Sequence, residues 1–246
     1  MPSFWVDPAD VSADELMLRG TEAHHLRKVR RIRTGDRVWV VDGCGMRYEV
    51  TVVSFDVDTA RCTISQRWKD WGESAVRLCL VPALIKGQLF DEIIEKATEV
   101  GVDSIRPLVA ARSVVRPDSA AKVERWRRVA RAAVKQCGRS RMPAVHMPAK
   151  LPQVLKALQD ECRQLVMAAP DATGEPLELV LGCLPSRPLA LFVGPEGGFV
   201  PEERLAVEAA GGVAFSWGSR ILRVETACAV LSALVMHQAA LRGATV

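Results

Sequence analysis

The chain has 246 residues, 49% hydrophobic and 25% charged, with 33 Lys and Arg against 29 Asp and Glu for a net charge of +4. That length can bury two domain cores in an ordinary globular composition, and no apolar run approaches the roughly 18 residues of a membrane span. Seven cysteines, odd in number and without a C-x-x-C pair, suggest neither a disulfide framework nor a zinc site; the N-terminus, MPSFWVDPADVSADEL, lacks the apolar segment of a signal peptide, so a reducing cytoplasm is the expected setting.

Residues 1–70 read as a small β-rich barrel or sandwich around one short helix. EAHHLRKVRRI (22–32) has the helical pattern, RVWVVDG (37–43) is apolar and β-branched, and MRYEVTVVSF and ARCTISQR are further strands. RWKDWGES (67–74) lacks periodicity and reads as a connector. The block HHLRKVRRIRTGDR (24–37) carries Arg27, Lys28, Arg30, Arg31, Arg33 and Arg37 against Asp36 alone. A second basic block, 112–141, holds ten Lys or Arg against Asp118 and Glu124. Either block alone suits a solvated helix face. Two in a chain otherwise close to neutral point to a polyanion, with RNA or DNA the first candidate.

From residue 76 strands alternate with helices, which predicts an α/β domain built on a parallel sheet. VRLCLVPAL is a strand and FDEIIEKATEVG (90–101) an amphipathic helix stopped by Gly101. SIRPLVA is a strand, and KVERWRRVARAAVKQCG a helix ended by Gly138. RQLVMAAP (163–170), PLALFVG (188–194) and GVAFSW (212–217) are strands, the second apolar throughout as a fully buried strand is. A helix starts at Pro201, and TACAVLSALVMHQAALR is the last, with Thr226 as its N-cap and Val230, Leu231, Leu234, Val235 and Leu241 as its buried stripe.

Phosphate-loop, zinc-protease, nucleophile-elbow and dinucleotide fingerprints are missing, and the four histidines are scattered. In parallel sheets ligands bind beyond the carboxyl ends of the strands, and three such ends carry unusual loops: AAPDATGEP (168–176), GPEGGF (194–199) and WGSRILRVET (217–226). Gly197 and Gly198 let backbone approach a ligand without interference from Cβ. Pro201, Glu202 and Glu203 suit the first turn of a helix. A tight strand-to-helix turn with no ligand is the plainer reading of GPEGG taken alone. The third loop sets Arg220, Arg223 and Glu225 within a few residues, and Ile221 and Leu222 between the arginines predict a loop half packed into a pocket.

Taken together, KGQLFDEIIEKATEVGV, IRPLVAARSVV, QCGRSRMPAV, LFVGPEGGF and GSRILRVETA resemble, in order and over nearly the whole chain, the RsmE family of S-adenosylmethionine-dependent methyltransferases. GPEGG alone would indicate only the wider SPOUT superfamily. The family methylates uridine at N3 in 16S ribosomal RNA. The resemblance implies a SPOUT domain over 76–246 with a parallel sheet and a C-terminal trefoil knot, preceded over 1–70 by a PUA-like RNA-binding domain. It implies a homodimer, no membrane and no metal, with the small ribosomal subunit as partner.

It also assigns residues. S-adenosyl-L-methionine would be held by Ala169 and Pro170 of the first loop and by Val193, Gly194, Pro195, Glu196, Gly197 and Gly198 of the second. Trp217, Gly218, Ser219, Ile221, Leu222, Thr226 and Ala227 would complete the pocket. Arg220, Arg223 and Glu225 are the catalytic candidates, one arginine pairing with Glu225 while the other faces RNA. Arg27, Arg30, Arg31, Arg33, Arg112 and Arg139 would meet RNA, Arg139 at a backbone phosphate. Glu196 could attract the sulfonium, accept a ribose hydroxyl or, the favoured role, anchor its loop across the knot. Two positions depart from the family pattern. Lys135 stands where Glu is common, removing a carboxylate and adding a charge that RNA could use. Val200 replaces the usual Ser or Thr, losing an N-cap worth roughly 1 kcal/mol. Two other readings are a SPOUT enzyme acting on a different base or a ribose 2′-hydroxyl, and an RNA-binding assembly protein with a vestigial pocket.

Overall fold

The computed structural model describes residues 3–87, 89–113, 120–169, 175–183, 188–218 and 220–243. Two compact units result: residues 1–73 with 130–142, and 74–129 with 143–246. The boundary expected between 70 and 76 is therefore crossed again, because the end of the second basic helix clusters with the N-terminal residues.

In the first unit five strands form one sheet in the order β1-β3-β4-β5-β2: β1 (Phe4–Trp5), β2 (Glu15–Arg19), β3 (Arg37–Val41), β4 (Met46–Phe55) and β5 (Thr59–Lys69). Only β1 and β3 run parallel. Alternation directs Val38, Val40, Val50, Val52 and Cys62 into a core with Leu16, Leu18 and Leu26. β5 continues through Lys69, so the first three residues of the expected connector are strand. The helix expected over 22–32 is one turn, α1 (Thr21–His24), running into a π-helical turn at His25–Val29. Arg31 lies beyond it at φ 56, off the helical region.

The second unit is built on a seven-stranded parallel sheet in the order β12-β14-β11-β13-β6-β7-β9. Its members are β6 (Leu78–Pro82), β7 (Ser104–Ile105), β9 (Ala144–Val145), β11 (Gln164–Ala168), β12 (Glu175–Pro176), β13 (Leu189–Val193) and β14 (Val213–Ser216). SIRPLVA is not one strand: Pro107, which has no N–H to donate, parts β7 from β8 (Leu108–Val109), and β8 pairs with β10 (Ala149–Lys150) instead. Helices α2 (Leu89–Val100) and α3 (Ala120–Cys137) fall where periodicity places them, Phe90 of one stacking on Trp126 of the other with ring centroids 4.4 Å apart. Helix α4 (Leu151–Asp160) was not anticipated; it buries Leu151, Val154, Leu155 and Leu158 against Val81, Met167 and Phe192, together with Val207 of α6 (Pro201–Ala209).

A short helix, α5 (Leu177–Cys183), precedes β13, and α7 (Val224–Gly243) closes the chain, lying against β6 and β13 and packing on α2. Residues Val224–Leu241 are long and apolar enough to cross a membrane by length and composition, although Glu225 and His237 interrupt the apolar run; 44% of them are buried within the fold. The buried stripe is Val224, Ala227, Cys228, Leu231, Ser232, Val235 and Met236, whereas Val230 and Leu234 are half-buried and Leu241 exposed. The expected stripe is thus rotated, because the helix starts two residues before Thr226 and Cys228, Ser232 and Met236 face inward.

Candidate functional site

Strands β14, β11 and β13 are neighbours and parallel, so their carboxyl ends bring three loops together at one edge of the sheet. The loop after β13 folds back at Gly194, where a Cβ would stand 3.2 Å from the Phe199 ring. Phe199 in turn packs on the core. A turn follows, closed by the Gly198 N–H donating to the Pro195 carbonyl at 2.8 Å. Gly198 has φ +68 and only open space where its Cβ would be, so a side chain there would be strained and would project into the site.

Helix α6 then begins with Pro201 in its first turn and no side-chain cap from Val200. Glu203 serves instead. Its carboxylate accepts the Val200 N–H at 3.0 Å and the Ala111 N–H at 2.8 Å, and the residue is 8% exposed.

The three loops line a cavity of about 690 Å³, a size suited to a nucleoside-sized ligand. Every cofactor contact named from sequence that falls among the described residues lines it, except Thr226; Pro170 and Ser219 lie outside the described residues. Thr226 is inside α7 and exposed, the first turn being closed by the Ala227 N–H donating to the Arg223 carbonyl at 2.8 Å. It is not the N-cap. Ile221 is 84% exposed and Leu222 half-buried, so the loop packs through one of the two and Ile221 can contribute only at the rim or through its backbone.

Several lining residues were not assigned to the pocket from sequence, among them Phe199, Arg204 and Arg112. Phe199 closes the GPEGGF motif but was given no role, Arg204 carries no motif, and Arg112 was assigned to RNA as one of a basic block. Arg112 lines the cavity and donates through Nη1 to the Gly197 carbonyl. That bond spans two segments far apart in sequence, which charge counting cannot show.

Arg220 and Arg223 line the cavity and are exposed. Arg220 sits over the Trp217 ring, 6.0 Å from its centroid. Neither arginine pairs with Glu225, which lies outside the lining and is 9% exposed, without a hydrogen bond or ion pair among the described residues. The expected Arg–Glu225 pair is therefore corrected: α7 begins at Val224, and its first turn places Glu225 away from the arginines. Burial first, and the charge of Glu225 second, push the Cys228 thiol well above its ordinary range, so it stays protonated and is no nucleophile. Glu196 is exposed on the lining and has no hydrogen bond within its loop among the described residues. The anchor across the knot favoured for it from sequence has no partner among the described residues.

In the N-terminal unit Arg27, Arg30, Arg31 and Arg33 are all exposed. Arg139 is not: it is 4% exposed, with Nε at 3.2 Å and Nη2 at 2.6 Å from the two carboxylate oxygens of Glu73. Glu73 also accepts the N–H groups of Ser140 at 3.0 Å and Arg141 at 2.8 Å. A guanidinium so enclosed has no open side for a phosphate, which corrects its assignment. Lys135 likewise spends its charge internally, 2.5 Å from Glu22, and so adds little to an RNA surface.

Residues 72–236 match the family described as RNA methyltransferase domain, and 18–64 that described as RNA methyltransferase PUA domain. The chain is 32% identical over 235 residues to ribosomal RNA small subunit methyltransferase E of Mycobacterium bovis, covering 92% of this chain and 88% of that one. With the protein of the same name from Bacillus subtilis it shares 30% over 239 residues, 94% of this chain and 93% of the other. Among solved structures, ribosomal RNA small subunit methyltransferase E from Neisseria gonorrhoeae bound to S-adenosyl methionine superposes with a TM-score of 0.85 at 27% identity, covering 96% of this chain and 97% of that one.

Proposed function

Starting from a chain that belongs to the ribosomal RNA small subunit methyltransferase E family, we propose that this protein transfers the methyl group of S-adenosylmethionine to N3 of a uridine in 16S ribosomal RNA of the small subunit. The observation that carries the reading is the convergence of three strand-end loops on one glycine-lined cavity with the exposed Arg220 and Arg223 on its wall.

The residues present fit the cofactor. Open space at the Cβ position of Gly198 admits an adenosine edge, while Val193, Leu222, Ala227 and Leu231 supply apolar wall. Glu196, exposed and unbonded within its loop, suits a ribose hydroxyl or the sulfonium charge. When bound, S-adenosylmethionine would supply an electrophilic methyl on a sulfonium, and the N3 proton of the uridine would be lost to solvent as the methyl replaces it. The chain's task is then placement, which can supply most of the rate, and stabilisation of charge developing on the uracil carbonyls. Arg220 and Arg223 suit that second task, since a guanidinium offers paired donors and neither is held by a carboxylate among the described residues. Arg112, bound to the Gly197 carbonyl, keeps the glycine turn in place.

The reading includes a trefoil knot threading these loops and a PUA-like RNA-binding role for the N-terminal unit, supported by its exposed arginines. It also includes a homodimer through α7, supported by Val230, Leu234 and Leu241, which are apolar yet incompletely buried. The deciding experiment is nucleoside mass spectrometry of RNA from small-subunit particles incubated with the protein and isotopically labelled cofactor. Labelled 3-methyluridine is the expected product; label on a ribose, on another base or nowhere would refute the assignment.

A further inference from the structure

The outer face of the five-stranded sheet carries an aromatic cluster that the cofactor site does not use. Alternation turns Trp39 of β3, Arg47 of β4 and Trp68 of β5 away from the core, and Arg47 and Trp68 are direct partners across the β4–β5 ladder. Trp71 follows just past β5. The indoles of Trp39 and Trp68 have centroids 5.2 Å apart, those of Trp68 and Trp71 5.7 Å. The guanidinium carbon of Arg47 lies 4.1 Å from the Trp39 centroid and 4.8 Å from that of Trp71.

Packing alone does not account for this group. None of the three tryptophans belongs to the core of the sheet, and Trp71 is 45% exposed. Arg47 has no carboxylate partner among the described residues, and its buried Nε donates to nothing. The acid on the same face, Glu49, is nearest to Arg37, at 3.9 Å. The result is a partly open set of π faces braced by an unpaired positive charge. An unpaired nucleobase can lie flat on an indole, and its adjoining phosphate is drawn by the cation beside it. A base within a duplex has no free face to offer.

We propose that Trp39, Trp68 and Trp71, braced by Arg47, form a stacking platform for unpaired RNA nucleotides, so that the N-terminal unit selects single-stranded rather than helical RNA. The choice of RNA as occupant rests on the methyltransferase reading and on the exposed arginines of the same unit. Arg47 acts here as a positioning residue, holding the indoles in place.

Fluorescence anisotropy on the full chain tests this with a labelled ten-nucleotide single strand and a ten-base-pair RNA duplex. Trp71→Ala should weaken single-strand binding roughly tenfold, leave duplex binding and melting temperature nearly unchanged, and be largely rescued by Trp71→Phe. Unchanged single-strand affinity, or equal loss for both RNAs, would overturn the platform. Should Trp71→Ala not fold, the wild type still decides. A single strand carrying 5-bromouridine should photocrosslink to peptides containing Trp68 or Trp71, and crosslinks confined elsewhere would reject the proposal. Cofactor binding measured by calorimetry on the same preparations separates the two readings: a protein that binds the oligonucleotide but no S-adenosylmethionine would sink the enzyme and leave the platform standing.

Discussion

The carboxylate of Glu203 accepts the backbone N–H of Ala111 at 2.8 Å while also accepting that of Val200 at 3.0 Å. One side chain thereby ties the segment bearing Arg112 to the start of α6, and Arg112 reaches the glycine turn from that segment. Glu203→Ala should strand two N–H groups at about 1–3 kcal/mol each, lowering the melting temperature and weakening S-adenosylmethionine binding several-fold. Glu203→Gln keeps one strong acceptor and should lose about half as much. Calorimetric Kd and thermal unfolding of both variants would check the ranking.

A side chain at 197 should disturb the cofactor pocket by displacing Arg112 from the glycine turn. A Cβ there would stand 3.2 Å from Cδ of Arg112, a flexible neighbour that can shift, so Gly197→Val should fold and yet lose S-adenosylmethionine binding at least tenfold by titration calorimetry. Wild-type affinity in a folded variant would move the pocket elsewhere.

Because neither Arg220 nor Arg223 is tied to Glu225, both alanine variants should melt close to the wild type. At saturating cofactor each should slow single-turnover methylation by about tenfold, roughly 1.4 kcal/mol of barrier. A large drop in melting temperature with an unchanged rate would make that arginine structural.

Arg139 should behave in the opposite way. Its removal leaves Glu73, with a side chain 10% exposed, uncompensated, and breaking such a pair costs about 3–5 kcal/mol. Arg139→Ala should unfold at markedly lower temperature or denaturant. Its RNA affinity, measured below the transition, should match the wild type.

The exposed basic turn should carry RNA affinity. Arg30→Glu with Arg31→Glu should weaken binding and flatten its salt dependence, as fewer counterions are released, while S-adenosylmethionine affinity holds. Equal affinities across a salt series would leave the turn without that role.

Local signals in the chain were enough to locate most elements and the pocket. Alternation in RVWVVDG, the apolar run PLALFVG and the helical spacing of 90–101 and 122–138 each fell on the expected element, and GPEGG with GSRILRVETA fell on the cavity. These depend on backbone preferences and burial, which act over a few residues. Side-chain partnership does not. Arg139, Arg112 and Lys135 look alike in a basic block, yet one is buried on Glu73, one bonds the Gly197 carbonyl and one meets Glu22. Those partners lie 66, 85 and 113 residues away. The same limit hid the inward face of α7 and the gathering of Trp39, Trp68 and Trp71. Period and composition determine that a helix or strand exists; which charge is neutralised and which aromatic stays open is decided only when distant segments compete for the same space.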